Sequence, residues 1–105
     1  MINTGGEKVH PQEVEDILLA YPGVTDASVV GVPDDTWGER VVAVVAAANQ
    51  ALTAEELRSA VRRRLAGYKV PRVILLLPAL PRTPTGKLEL AQIRRLASGQ
   101  PTPPP

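Results

Sequence analysis

The segment Pro81-Arg82-Thr83-Pro84-Thr85-Gly86-Lys87-Leu88 holds the densest chemical information in the chain. Two prolines restrict the backbone on either side of Arg82-Thr83, and Gly86 permits a tight bend just before Lys87. The result is a short, stiffened arm presenting one ammonium group. A Walker A loop needs glycine at position 81 and serine or threonine at position 88. Pro81 and Leu88 meet neither requirement, so Lys87 is not a P-loop lysine, although it can meet phosphate as a point charge. The plain alternative is a solvated lysine at a helix start, where the helix dipole mildly disfavours a cation.

Two further segments have suitable chemistry. Gly5-Gly6, ahead of Glu7, lets backbone approach a ligand closely or form a hairpin turn; a simple turn before a helix fits the spacing as well. Trp37 lies in turn chemistry, and Tyr68-Lys69-Val70-Pro71-Arg72 precedes an apolar run. An aromatic ring beside cations can stack on a base while the cations meet phosphate. The same residues equally make a tryptophan lid on the core and a Tyr-Lys corner of the sheet. His10 reads as a helix cap or surface residue without a local catalytic partner. Arg62-Arg63-Arg64 and Arg94-Arg95 read as solvated helix faces.

Composition narrows the function classes. The chain has 105 residues, 44% of them hydrophobic, enough for the core of one domain. Twelve basic residues against eleven acidic give a net charge of +1, which argues against nucleic acid as a partner. No cysteine and a single histidine exclude disulfides and cysteine- or multi-histidine metal sites, so no metal-ligating residue is assigned. No apolar run approaches the roughly 20 residues of a membrane span. Met1-Ile2-Asn3-Thr4 has neither the basic nor the apolar region of a signal peptide. These features fit a cytoplasmic domain.

The elements that must position these residues are legible from periodicity. Pro11 to Ala20 reads as a helix with Pro11 at its first position and Val14, Ile17, Leu18 and Tyr21 on one stripe. Ala27–Val32 and Val41–Ala48 read as strands joined by the turn Pro33–Gly38, so the pair is antiparallel. Thr53 to Leu65 reads as a helix opened by a Thr53/Glu56 capping box, with Leu57, Ala60, Val61, Arg64 and Leu65 inward. Val73–Leu77 is a third strand and Leu88–Ala97 a third helix, with Leu90, Ile93, Leu96 and Ala97 inward. The expected fold is α+β: a small three-stranded sheet, mixed if the intervening helix makes a crossover, flanked by three helices. A glycine-rich loop or hairpin precedes it. Residues 1–98 form the domain; residues 99–105, with four of the eleven prolines, form a disordered proline-rich tail.

Three ordered segments bear a family resemblance. Gly5-Gly6-Glu7-Lys8-Val9-His10-Pro11 with Glu13-Val14-Glu15 resembles the glycine-glycine-glutamate core motif of adenylate-forming enzymes. Val32-Pro33-Asp34 with Trp37-Gly38-Glu39-Arg40 resembles that family's next turn, and Tyr68-Lys69-Val70-Pro71 followed by Pro81 to Lys87 resembles its final Gly-Lys motif. The resemblance covers about residues 1 to 98 and only the small C-terminal domain. It implies a partner, the large N-terminal domain of the same enzyme, and an excised or shortened chain. It also implies ATP and CoA as substrates, with Mg2+ bound mainly by the N-terminal domain.

The implied reaction has two steps, acyl-adenylate formation and thiol attack. Lys87 matches the adenylation lysine; an ammonium about 4 Å from an anion contributes on the order of 4 kcal/mol at an effective dielectric near 20. Gly5, Gly6 and Glu7 match the loop lining the pantetheine tunnel. Trp37, Tyr68, Lys69 and Arg72 match positions near the CoA nucleotide. The wording Gly38-Glu39-Arg40-Val41 and Lys8-Val9-His10-Pro11 looks like fatty- or aryl-acyl-CoA ligases. Alternatives are a standalone CoA- or partner-binding module and the C-terminal subdomain of a peptide-synthetase adenylation domain.

Overall fold

A computed structural model describes residues 1–48 and 51–99. The elements in chain order are β1 (Ile2–Thr4), β2 (Glu7–Val9), α1 (Pro11–Leu19), β3 (Val24–Asp34), β4 (Gly38–Ala47), α2 (Ala54–Arg62), β5 (Val73–Leu77) and α3 (Leu90–Ala97), with a single 3-10 turn at Gly67–Lys69. The α+β class and its three helices stand. The sheet, however, has five strands rather than three. The Gly5-Gly6 segment folds as a hairpin whose two arms, β1 and β2, pair antiparallel and join the sheet through Thr4 against Gly38. Three-residue strands are too short to show a period of two, so the sequence pattern supports only a loop or hairpin there.

Strand β4 organises the sheet. Along one edge it pairs antiparallel with β3, from Val24 opposite Ala47 to Asp34 opposite Gly38. On its other edge it pairs in parallel with β5, Val42 opposite Val73 through Ala46 opposite Leu77. The α2 crossover permits that parallel pair, so the sheet is mixed.

The run Val41–Ala46 is buried throughout because helices cover both faces. Val41, Ala43 and Val45 face a core completed by Val14 and Leu18 of α1 and Leu57 and Val61 of α2. Val42, Val44 and Ala46 face a second core completed by Ile93 and Ala97 of α3, with Leu80. Thr53 caps α2: its hydroxyl accepts the Glu56 amide at 3.1 Å and lies 3.2 Å from the Glu56 carboxylate.

Two inward assignments fail. Arg64 is exposed, because α2 ends at Arg62 and the helical phase is lost beyond it. Leu90 is 50% exposed, because it opens α3 rather than lying a turn inside it. Leu88 is still bridged to Arg82, and Glu89 is the non-helical cap residue before α3. Of the proline-rich tail, only Gly99 lies among the described residues, in a turn whose amide donates to the Leu96 carbonyl; positions 100–105 lie outside them.

Candidate functional site

Two separate constructions carry the candidate residues. The first is a cleft of about 340 Å³ between the β1–β2 hairpin, the β3–β4 turn and the 3-10 turn. Gly5, Glu7, Trp37, Tyr68 and Arg72 line it, joined by Thr4, Val41, Gly67 and Val70. Five of the seven residues that resemblance assigned to CoA are therefore brought together from sequence separations of up to 67 positions.

The turn carrying Trp37 is held by three hydrogen bonds. The Trp37 amide and that of Thr36 donate to Asp34 Oδ1 at 3.0 and 2.9 Å, and the Trp37 carbonyl accepts the Gly5 amide at 2.8 Å. The two backbone bonds hold the Asp34 carboxyl below the usual carboxylate range, since they favour its ionised form. Asp34 also pairs with Arg40 at 3.7 Å. The Arg72 guanidinium lies 4.7 Å over the Trp37 ring, a cation–π contact.

Gly5 fits under that ring only because it has no side chain. A Cβ there would stand 2.8 Å from Trp37 Cε3, and φ is +59°, where L-residues other than Asn and Asp are uncommon. Gly6, at φ +83°, faces open space.

Gly6 and Lys69 do not line the cleft. Lys69 Nζ instead pairs with Glu13 of α1 at 2.9 Å, and this hydrogen bond raises its pKa above the ordinary lysine value. It also lies 5.8 Å from the Tyr68 ring. Sequence spacing gave no sign of the Glu13 partner, 56 positions away.

The second construction is the arm carrying Lys87. Residues 82–88 form a closed hairpin: Arg82 bridges Leu88, the Thr83 amide donates to the Lys87 carbonyl at 2.7 Å, and the Gly86 amide donates to the Thr83 carbonyl at 2.9 Å. The Lys87 amide donates to Thr83 Oγ1 at 3.2 Å. Gly86, at φ +88°, makes the bend. Lys87 itself is exposed and stands in this loop, three residues before α3 begins. It is not at a helix terminus, so the dipole penalty expected there does not arise.

The arm is anchored to β3 by Arg82, which reaches Asp26 at 2.7 Å, a contact that spacing did not reveal. Asp26 and Asp34 stand at opposite ends of β3, about 26 Å apart at the usual strand rise of 3.3 Å per residue. The anchor of the arm and the turn that carries Trp37 are therefore at different ends of the β3–β4 ribbon.

Among the described residues no group of three or more His, Asp or Glu side chains could hold a metal ion. No helix among them is long and apolar enough to cross a membrane.

Comparison with known proteins places this geometry. Residues 13–87 match the AMP-binding enzyme C-terminal domain family. The chain is 52% identical over 87 residues to a 3-oxocholest-4-en-26-oate–CoA ligase of Rhodococcus rhodochrous, covering 82% of this chain and 16% of that protein. It is 46% identical over 96 residues to a feruloyl-CoA synthase of Amycolatopsis sp, covering 90% of this chain and 20% of that one. Among solved structures, a Mycobacterium tuberculosis fatty acyl CoA synthetase superposes with a TM-score of 0.87 at 37% identity, over 94% of this chain and 20% of that one. The chain thus spans between a sixth and a fifth of the length of the relatives it matches. With the family's match running over both the Trp37 turn and the Lys87 arm, this chain belongs to the AMP-binding enzyme C-terminal domain family.

Proposed function

We propose that the chain acts as the mobile C-terminal domain of an ATP-dependent acyl-CoA synthetase. The observation that carries this reading is Lys87: an exposed ammonium at the end of a closed, anchored hairpin, with no hydrogen bond or ion pair among the described residues. A cation kept out of internal pairing is available to an outside anion.

In the first step a substrate carboxylate oxygen attacks the α-phosphorus of ATP, and pyrophosphate leaves. Lys87 Nζ sits beside the carboxylate and the α-phosphate oxygens and stabilises the charge as it is redistributed. In the second step the CoA thiolate attacks the acyl carbonyl and AMP leaves. The cleft under Trp37 serves that step. Gly5 presents bare backbone inside the cleft and Gly6, outside it, leaves the hairpin tip clear for a thin pantetheine arm; Trp37, Tyr68 and Arg72 meet the nucleotide end, and Glu7 lines the same cleft. Lys69 supports this wall through Glu13 rather than by touching CoA. The two constructions lie at different ends of β3, which supports a domain that turns between the steps. ATP and Mg2+ are held mainly by the large N-terminal domain, the partner of this one, and the substrates fit a cytoplasmic reaction.

The test is made in the full-length synthetase. A long-chain fatty acid, ferulate and 3-oxocholest-4-en-26-oate are screened, and the acid that turns over is used. Lys87→Ala is expected to slow ATP–pyrophosphate exchange by about 10²-fold or more, the range seen when one charge-stabilising donor is removed. Thioester formation from pre-made acyl-adenylate should stay near wild type. Equal losses in both half-reactions would contradict the assignment.

A further inference from the structure

Resting on the assignment of Lys87 to adenylation, we infer that Asp26 and Arg82 form a latch that positions Lys87 for that step. The guanidinium of Arg82 is shared between two places. Its Nε and Nη2 donate to Asp26 Oδ2 at 3.1 and 2.7 Å, and its Nη1 donates to the carbonyl of Gly86, the peptide group joined to Lys87. One planar side chain thus ties the backbone next to the reactive lysine to the sheet.

Asp26 is itself fixed. It sits beside the irregularity in β3 between Val24 and Asp26, and its other oxygen accepts the Ala27 amide at 3.1 Å. The latch therefore runs from a rigid strand, through a carboxylate with both oxygens engaged, to the bend before Lys87.

The remaining bonds of the arm are internal to it. The Thr83 and Lys87 backbone pair, the Thr83 hydroxyl and the Glu89 amide to the Pro81 carbonyl shape residues 81–89 but do not orient them against the sheet. Among the described residues Arg82 makes the arm's one side-chain ion pair to another element. Lysine cannot replace it fully, because a single ammonium lacks the fork that reaches carboxylate and carbonyl together.

The consequence is specific to one half-reaction. Loss of the latch leaves the arm closed and Leu88 packed against the second core but frees the bend at Gly86 to pivot, so Lys87 Nζ is displaced when adenylation needs it, and misplacement by about 1 Å costs on the order of 10²-fold. Nothing in the cleft under Trp37 depends on Arg82 or Asp26.

The experiment uses the full-length synthetase and four variants: Arg82→Gln, Asp26→Asn, Lys87→Ala and the Arg82→Gln/Lys87→Ala double variant. The expected result is that Arg82→Gln and Asp26→Asn each slow ATP–pyrophosphate exchange by between about 10-fold and 10²-fold, with thioester formation from pre-made acyl-adenylate within about 2-fold of wild type. Arg82→Lys should recover part of the loss. In the Lys87→Ala background, Arg82→Gln should add no further loss, because a positioning residue has nothing left to position. A loss shared by both half-reactions, or a full additional loss in the double variant, would overturn the latch. If Lys87→Ala slows exchange while Arg82→Gln and Asp26→Asn do not, the latch fails and the lysine assignment stands. If Lys87→Ala itself leaves exchange unchanged, the assignment beneath both is lost.

Discussion

Asp34 holds the turn that carries Trp37, and it does so more strongly when ionised. Its carboxyl is depressed by two backbone amides, Trp37 first and Thr36 second. A group with a lowered folded-state pKa contributes stability that is present above the ordinary carboxylate value of about 3.9 and is lost as pH falls through the folded value. Because Trp37 is the chain's one tryptophan, its fluorescence reports this site alone. Emission is expected to be constant from pH 8 to about 4 and to shift below that. Asp34→Asn, which keeps an accepting oxygen but does not titrate in this range, should shrink the acid shift. An undiminished shift in that variant would assign it to another carboxylate.

At this scale the sequence was partly readable. The Asp34-to-Trp37 spacing is an ordinary turn signature, and Gly5, Trp37 and Arg72 each stand in a segment with its own chemical signature. Their stacking was not legible, since it depends on β1 and β5 meeting β4 near its start. The Lys69–Glu13 and Arg82–Asp26 pairs were equally hidden, each joining residues 56 positions apart.

Elements follow the same division between local and distant causes. Helix α2 was legible because its start is chemical: Thr53 accepts the Glu56 amide, satisfying a donor the helix leaves open. Thr53→Ala is expected to destabilise the domain by about 1 kcal/mol. The check is urea unfolding, where the midpoint should fall with no change in the denaturant slope. An unchanged midpoint would mean that the Glu56 amide finds water at no cost.

Strand β5 was read with its observed limits. Strands β3 and β4 run longer than their apolar stretches, because pairing continues through polar residues such as Asp26, Glu39 and Arg40. The parallel pairing of β4 with β5 was open in advance, as α2 allows a crossover but does not compel one. With α2 packed over the same core as α1, β5 returns alongside β4 in the parallel direction.

For the whole molecule, the expectation is that the 105-residue chain alone forms no acyl-adenylate. It carries the Lys87 arm and the Trp37 cleft, while the ATP site belongs to the proposed N-terminal partner. Incubation with ATP, Mg2+ and a long-chain fatty acid should release no pyrophosphate above the protein-free control. Measurable release would show that the chain holds a nucleotide site of its own.

Strand β4 has a further consequence. Most sheet strands are kept from sliding by one position because a slide would turn polar side chains inward. From Val41 to Ala46 every side chain is small and oily, so a slide would merely exchange one greasy row for another. What prevents it lies at the extremities: the Asp34–Trp37 turn at one end and the kink beside Asp26 at the other. The turn that carries Trp37 and the kink beside the anchor of the Lys87 arm are thus also the stops that keep the central strand from creeping.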